Sequence, residues 1–234
     1  FAPSIMGSSV FAGLMDEAAM LEVRDLAGVS VREALSGIGY LGTDERPEVA
    51  SYAEIHIEQG RILEREQLPL GAVDYSWYTQ KLDIEVLGEQ SHTGATAMAD
   101  RHDALVAASK VVLLVHDVTK KFAEEARVSS VGRMTLEPNS PIVVARRVHL
   151  VADLRSASPE IVSEARASLL ADIDAIAREH DITINVNDFD IRGIQYYPEE
   201  GLELAEKVAA ELGLGIRRIQ TMAGHDSVAL NRIA

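Results

Sequence analysis

The strongest constraint on the fold is the order of hydrophobic periodicities between residues 80 and 191. The stretch QKLDIEVLG alternates Leu82, Ile84 and Val86 with polar residues, which predicts a half-buried strand. Helical spacing follows in residues 100–122, and two alternating segments, each typical of a strand, follow at 127–136 and 146–155. A second segment of helical spacing covers 158–180, and a last alternating segment covers 181–191. This β-α-β-β-α-β order is typical of the ferredoxin-like arrangement.

The flanking segments predict a second, mixed part of the chain. Ser30 is a candidate N-cap of a short helix, Tyr52 to Ile57 alternates like a strand, and a helix is expected after Gly60. Helical spacing returns in residues 198–214, and the AGHDS turn at 223–227 is expected to begin one more helix. We therefore predict an α/β (α+β) fold with domain boundaries at 1–78, 79–193 and 194–234.

Composition excludes several classes of function. The 234 residues contain no cysteine, which excludes disulfides, thiolate metal sites and cysteine nucleophiles. A formal net charge of −15 argues against binding to nucleic acid, which needs clustered Lys and Arg. No apolar run approaches the roughly 18 residues of a membrane span, so we expect no membrane partner. The acidic net charge fits a cytoplasmic protein with a solvated surface.

The stretch YAEIHIEQG raises the first question about chemistry. In a strand, Glu54, His56 and Glu58 would share one face, with Ile55 and Ile57 on the other. If the isoleucines face the core, a line of carboxylate, imidazole and carboxylate would face a cleft, where Zn²⁺, Mn²⁺ or Co²⁺ would accept such ligands. Spacing alone leaves a metal ligand and a histidine that merely lies among acids both open.

Three further positions are candidates for a site. His92 lies in a turn of small residues after a strand, where it could donate to an oxyanion or simply bond nearby backbone. Arg155, at a strand end, could bind a substrate carboxylate or form an ordinary salt bridge with Asp153. His225, in a Gly-His-Asp turn, could serve a metal site directly, support one, or only begin a helix.

Five motifs in this order, FAPSIMGSSVFAG, YAEIHIEQG, GEQSHTGAT, DLRS and AGHDS, resemble the amidase/hydantoinase/carbamoylase family. Its members include N-carbamoyl-L-amino acid hydrolases, β-ureidopropionases and allantoate amidohydrolases, and it is related to aminoacylases and carboxypeptidase-G-type metallopeptidases. The resemblance covers essentially the whole chain. It implies a metal-binding catalytic domain, residues 1–78 and 194–234, interrupted by a dimerisation (lid) domain, residues 79–193.

The resemblance also implies roles for single residues. His56 matches the family histidine that binds one of two divalent metal ions (Zn, Mn or Co), and Gln59 is expected beside the substrate. His92 matches a lid-domain histidine that reaches the active site of the other subunit in a homodimer. Arg155 is expected to bind the substrate carboxylate, and His225 to contact the substrate without binding metal.

Two features depart from the family pattern. Ala97 replaces the usual proline, and Ile142 replaces an asparagine expected to bind substrate. The chain also begins without an initiator Met and ends inside a predicted helix, so we expect an internal piece of a longer protein. The family's other metal ligands would then lie outside it, and the chain alone should be inactive.

The function that the resemblance implies is metal-dependent hydrolysis of the C–N bond of N-carbamoyl L-amino acids or related ureido acids. The enzyme would thus be a hydrolase acting on C–N bonds other than peptide bonds, with a small ureido acid as its substrate. An aminoacylase or peptidase of the same superfamily is one alternative. A non-catalytic dimerisation or binding module is the other.

Overall fold

The structure is a computed structural model and describes residues 1–122 and 127–233. Its helices in these ranges are α1 (Met6–Phe11), α2 (Glu17–Leu21), α3 (Val31–Gly37), α4 (Ile62–Glu66), α5 (Ala104–Val118), α6 (Pro159–His180), α7 (Glu199–Glu211) and α8 (Asp226–Leu230). The strands are β1 (Leu70–Ser76), β2 (Tyr78–Leu87), β3 (Ser91–His92), β4 (Arg127–Glu137), β5 (Val143–Val144), β6 (Arg147–Ser156), β7 (Thr183–Arg192), β8 (Gln195–Tyr196) and β9 (Ile216–Thr221). The fold is mixed α/β, as predicted.

The chain forms two compact units. The first comprises Phe1–Ser76 with the segment from Gln195 onwards, and the second comprises Trp77–Ile194. The assignment of these units as a catalytic domain and a lid domain stays a prediction.

The second unit has the element order that periodicity predicts. Its antiparallel sheet runs β4-β6-β2-β7, with α5 inserted between β2 and β4 and α6 between β6 and β7. The helix α6 begins where predicted, since the Ser158 side chain accepts the Ile161 N–H and Pro159 occupies the first turn. The β-α-β-β-α-β prediction is therefore confirmed.

One face of this sheet is covered by α5 and α6. Alternate residues of β2 and β6 are fully buried against apolar residues of both helices, among them Leu169 and Ile173 of α6. The period of two along the strands and the helical spacing along α5 and α6 thus meet in one core. Elsewhere in the unit, the Asp190 carboxylate accepts from Lys81 at 2.5 Å and from Arg192 at 3.0 Å.

The first unit is built on a smaller sheet of order β8-β1-β9, in which β1 is antiparallel to β8 and parallel to β9. The helix α7 packs on β1 and β9, and α8 packs on α1. The predicted cap of α3 is confirmed, because Ser30 and Glu33 form a reciprocal capping box. Among the described residues, none of the helices is long and apolar enough to cross a membrane.

Candidate functional site

The segment that carries His56 is not a strand, so the prediction for Tyr52–Ile57 is wrong. Residues 41–58 have no assigned secondary structure, and no strand in the described part of the chain pairs with them. Alternation describes one strand only, whereas a strand also needs a neighbour to pair its backbone groups. The condition that the isoleucines face the core is not met either, because Ile55 and Ile57 are exposed.

The side chains of Glu54, His56 and Glu58 do not all lie together. Glu54 and His56 lie together, but the Glu58 carboxylate turns to α4, where it accepts from the backbone N–H groups of Ile62 at 2.7 Å and Leu63 at 2.9 Å. An anion at a helix N-terminus satisfies amides that have no partner within the helix. Glu58 is therefore a cap of α4 and does not form a line with the other two.

His225 completes a cluster with Glu54 and His56. One ligand atom from each of the three side chains lies within 4.8 Å of the others, and the two imidazole rings meet edge to face with centroids 4.5 Å apart. A Glu54 carboxylate oxygen lies 3.9 Å from His225 Nδ1, and the other accepts the Ser227 N–H at 3.0 Å. Glu54 thereby ties the extended segment to the first turn of α8.

One hydrogen bond of His56 selects a tautomer that a metal ligand could use. Its Nδ1 lies 2.8 Å from the carbonyl oxygen of Ile57. A carbonyl can only accept, so in the neutral imidazole Nδ1 carries the proton and Nε2 keeps its lone pair. This is the tautomer in which a histidine binds a metal while its other nitrogen donates to backbone.

The surroundings of His225 favour the neutral form of its imidazole. Burial lowers the pKa of its imidazole, and the adjacent His56 ring lowers it further, against the opposing influence of Glu54 and Asp226. Its Nε2 lies 3.0 Å from the Thr221 hydroxyl. A neutral imidazole can bind either a metal ion or a hydrogen-bonding substrate group, and this geometry fits both.

The donor set of the cluster fits a divalent ion. Two imidazoles and a carboxylate are ligands that Zn²⁺, Mn²⁺ and Co²⁺ accept. A bound ion lies about 2.0–2.2 Å from each ligand atom, which places those atoms within about 4 Å of one another. Small side-chain rotations would bring the three groups from the observed separation to that range.

Gln59 follows this cluster along the chain. Its side chain is exposed, and its backbone is left-handed with φ at 57°. Such a conformation is uncommon outside glycine and turns the chain sharply before α4. The predicted contact of Gln59 with a substrate stays a prediction.

His92 lies in the second unit, on a short ribbon. It pairs with Val143 in the β3–β5 ladder, and the next residue, Thr93, donates its N–H to the carbonyl of Ile142 at 3.1 Å. His92 Nδ1 accepts from the N–H groups of Gly94 and Ala95, both at 3.0 Å. Ile142, which stands where the family has asparagine, is thus an exposed apolar residue beside this turn.

Arg155, also in the second unit, forms the salt bridge that sequence reasoning left open. Its Nε and Nη2 donate to the two carboxylate oxygens of Asp153 at 2.8 and 2.6 Å. The hydrogen bonds to Asp153 raise the pKa of the guanidinium above its ordinary value, although burial acts in the opposite direction. The guanidinium of Arg155 is therefore already oriented by a neighbouring acid, and its predicted contact with a substrate carboxylate stays a prediction.

Sequence comparison aligns all or nearly all of this chain with proteins named as hydrolases. No protein-family model matches it. It is 41% identical to a Mycolicibacterium smegmatis protein named as a hydrolase, over 100% of this chain and 54% of that protein. It is 29% identical to an N-carbamoyl-L-amino acid amidohydrolase of Geobacillus stearothermophilus, over 97% and 56%, and 28% identical to an allantoate amidohydrolase of Bacillus subtilis, over 99% and 57%.

Comparison with solved structures finds proteins of the same kind. A crystal structure of a hydantoinase/carbamoylase-family amidase from Burkholderia vietnamiensis superposes with a TM-score of 0.93 at 30% identity, over 100% of this chain and 57% of that one. The chain thus spans a little over half the length of the proteins that it matches.

Proposed function

We propose that the whole protein is a metal-dependent amidohydrolase, since the chain belongs to the hydantoinase/carbamoylase family of amidases. Its reaction would be hydrolysis of the C–N bond of an N-carbamoyl L-amino acid or a related ureido acid. The names of the relatives support an amidohydrolase, and one of them is named for N-carbamoyl-L-amino acids.

The single observation that carries the proposal is the Glu54–His56–His225 cluster. It unites two segments far apart in the sequence, and both belong to motifs of the family resemblance. His56 already has the tautomer of a metal ligand, because Ile57 accepts its Nδ1 proton.

Two divalent ions, Zn, Mn or Co, would polarise the scissile carbonyl and activate water when bound. In this proposal His56 binds one of them, and Glu54 and His225 border it. Arg155 holds the substrate carboxylate through its planar guanidinium, while Gln59 and His225 contact the substrate. His92 donates a hydrogen bond to the carbonyl oxygen as negative charge develops on it.

The proposal includes a homodimer formed through the second unit, since His92 is expected to act from the other subunit. Light scattering of the whole protein tests this part: a monomer mass under assay conditions would remove the route for His92. A cytoplasmic location is likewise part of the proposal.

The decisive experiment compares the whole protein with its His56→Ala variant. We expect turnover of N-carbamoyl L-amino acids that depends on added Mn²⁺ or Zn²⁺, and loss of both metal content and turnover in the variant. His116→Ala is the matched control, because His116 is an exposed histidine that contacts its neighbour Asp117 on α5. If His56→Ala kept both metal and turnover, the ligand assignment would be wrong.

The same assay separates the alternatives. Cleavage of N-acetyl but not N-carbamoyl amino acids would identify an aminoacylase of the same superfamily, and cleavage of dipeptides a peptidase. Absence of turnover on all three with metal present would favour the non-catalytic dimerisation or binding module.

A further inference from the structure

The turn that follows β3 fixes the protonation pattern of the His92 ring. The N–H groups of Gly94 and Ala95 both point at His92 Nδ1, each at 3.0 Å. Two donors can share that atom only if it has a lone pair and no proton. In the neutral ring the proton must therefore lie on Nε2.

Arg101 holds this turn in place. Its Nη2 donates to the carbonyl oxygens of Thr93 at 2.6 Å and Thr96 at 3.0 Å, and its Nε donates to Thr96 at 3.1 Å. The turn is also closed on itself, since the Thr96 N–H donates to the carbonyl of His92 at 3.1 Å. The rigid fork of a guanidinium matches two carbonyls at once, which the single ammonium of lysine does not.

Gly94 lies directly beside the ring. A Cβ at this position would lie 3.4 Å from His92 Cε1 and 3.6 Å from Nδ1. The ring therefore packs directly on the backbone that donates to it. Rotation of the imidazole would give up both backbone hydrogen bonds.

We infer that Arg101 is the positioning residue of this site: by holding the turn, it keeps the His92 ring neutral, with its proton on Nε2. The inference rests on the proposed function for its catalytic part, because it specifies what His92 offers to the developing oxyanion. It excludes His92 as a general base, since the lone pair on Nδ1 is engaged by backbone and Nε2 carries the proton. A neutral imidazole donor is a known way to polarise a carbonyl, and it leaves proton transfer to other groups.

The first test is spectroscopic and needs no turnover. In the whole protein labelled with ¹⁵N-histidine, the His92 nitrogens are assigned by comparison with a His92→Gln sample and observed at neutral pH. We expect a protonated Nε2 and an unprotonated Nδ1. A proton on Nδ1, in the other tautomer or in the imidazolium, would overturn the inference, whatever the substrate of the enzyme proves to be.

The second test separates hydrogen-bond donation from proton transfer. Removal of a donor to an oxyanion costs roughly 10²–10³-fold in kcat, which we expect for His92→Ala. Glutamine can present an N–H near the position of Nε2 but cannot transfer its proton, so His92→Gln should recover a substantial part of that loss. Equal kcat values for the two variants would contradict a donor role.

The third test concerns Arg101. Arg101→Lys keeps the charge but loses the fork, and we expect kcat to fall by up to about 10²-fold with a smaller change in KM, because the donor is misplaced. Arg166→Lys is the control: Arg166 makes a comparable forked contact, with Asp188, and touches no residue of the turn. Equal kcat values in the two lysine variants, with His92 nitrogen resonances unchanged, would remove Arg101 from its positioning role.

Discussion

Gly88 marks a point where two backbone segments of the second unit touch, and its replacement by alanine is a sharp test of the fold. An added Cβ would lie 2.1 Å from the His102 carbonyl oxygen and 3.0 Å from the Ala104 nitrogen. Both are backbone atoms at the start of α5, so neither can rotate away as a side chain would. The neighbouring residue, Glu89, donates its N–H to the same carbonyl at 2.8 Å, which fixes the separation.

The magnitude follows from the displacement that is required. Non-bonded heavy atoms lie about 3.5 Å or more apart, so the end of β2 and the start of α5 must separate by more than about 1 Å. Overpacking of this kind costs about 1–3 kcal/mol, and loss of the Glu89 hydrogen bond adds about 1 kcal/mol. We expect Gly88→Ala to lower the free energy of unfolding of the second unit by about 2–4 kcal/mol.

The assay uses the fluorescence of the single tryptophan, Trp77, which is buried and is the first residue of the second unit. With a urea m-value of about 2 kcal/mol/M, the middle of the usual range, the midpoint should fall by roughly 1–2 M. Gly132→Ala is the matched control, because it lies in β4 with no atom within 4 Å of an added Cβ, and its midpoint should barely change. Equal midpoints for the two variants would refute the close-approach argument.

Three further predictions follow from particular contacts. Arg155→Ala should raise KM about 30-fold, equivalent to about 2 kcal/mol, whereas Arg166→Ala, which removes a similar ion pair outside the proposed site, should leave KM unchanged in steady-state kinetics. Asp190→Asn should flatten the loss of stability in acid: burial raises the pKa of this carboxyl, but its cationic partners outweigh that effect and hold it below the ordinary value. The wild type should therefore lose the stability contributed by this carboxylate as pH falls below about 4 toward its folded-state pKa. The variant keeps the other carboxylates of the chain and should lose less stability over the same range, as measured by urea midpoints between about pH 3 and 6. Leu169→Ala should cost about 2–5 kcal/mol because Leu169 is 1% exposed, and Leu113→Ala, at 63% exposed, much less in thermal unfolding.

The second unit could be predicted from sequence because each of its elements shows its own pattern. The strands β2 and β6 alternate over their length, and α6 has both an N-cap and a continuous apolar stripe. Such signals depend on neighbours in the sequence. The resulting β-α-β-β-α-β order indicates a ferredoxin-like arrangement, in which the helices cover the apolar face of the sheet.

The first unit shows where this reasoning stops. The alternation around His56 is as regular as that of β2, yet no strand among residues 1–122 and 127–233 pairs with the segment, because pairing depends on residues far away in the chain. The meeting of Glu54 with Ser227 could not be read from either segment alone. Arg101 was missed for a similar reason, since an arginine that binds backbone carbonyls has no spacing signature.

Arg155 illustrates how a local pattern can constrain a functional prediction. In the DLR sequence, Asp153 and Arg155 are two positions apart in β6, so the period of the strand places both side chains on one face and makes their ion pair almost inevitable. The carboxylate uses the Nε–Nη2 edge and thereby fixes the plane of the guanidinium before a substrate arrives. The Arg155 side chain would then lose less conformational entropy when a substrate carboxylate binds. The carboxylate would, however, meet a cation whose charge is already partly neutralised by Asp153. The KM effect of Arg155→Ala measures the net of these two terms, so a rise well below tenfold would mean that Arg155 serves mainly as the partner of Asp153.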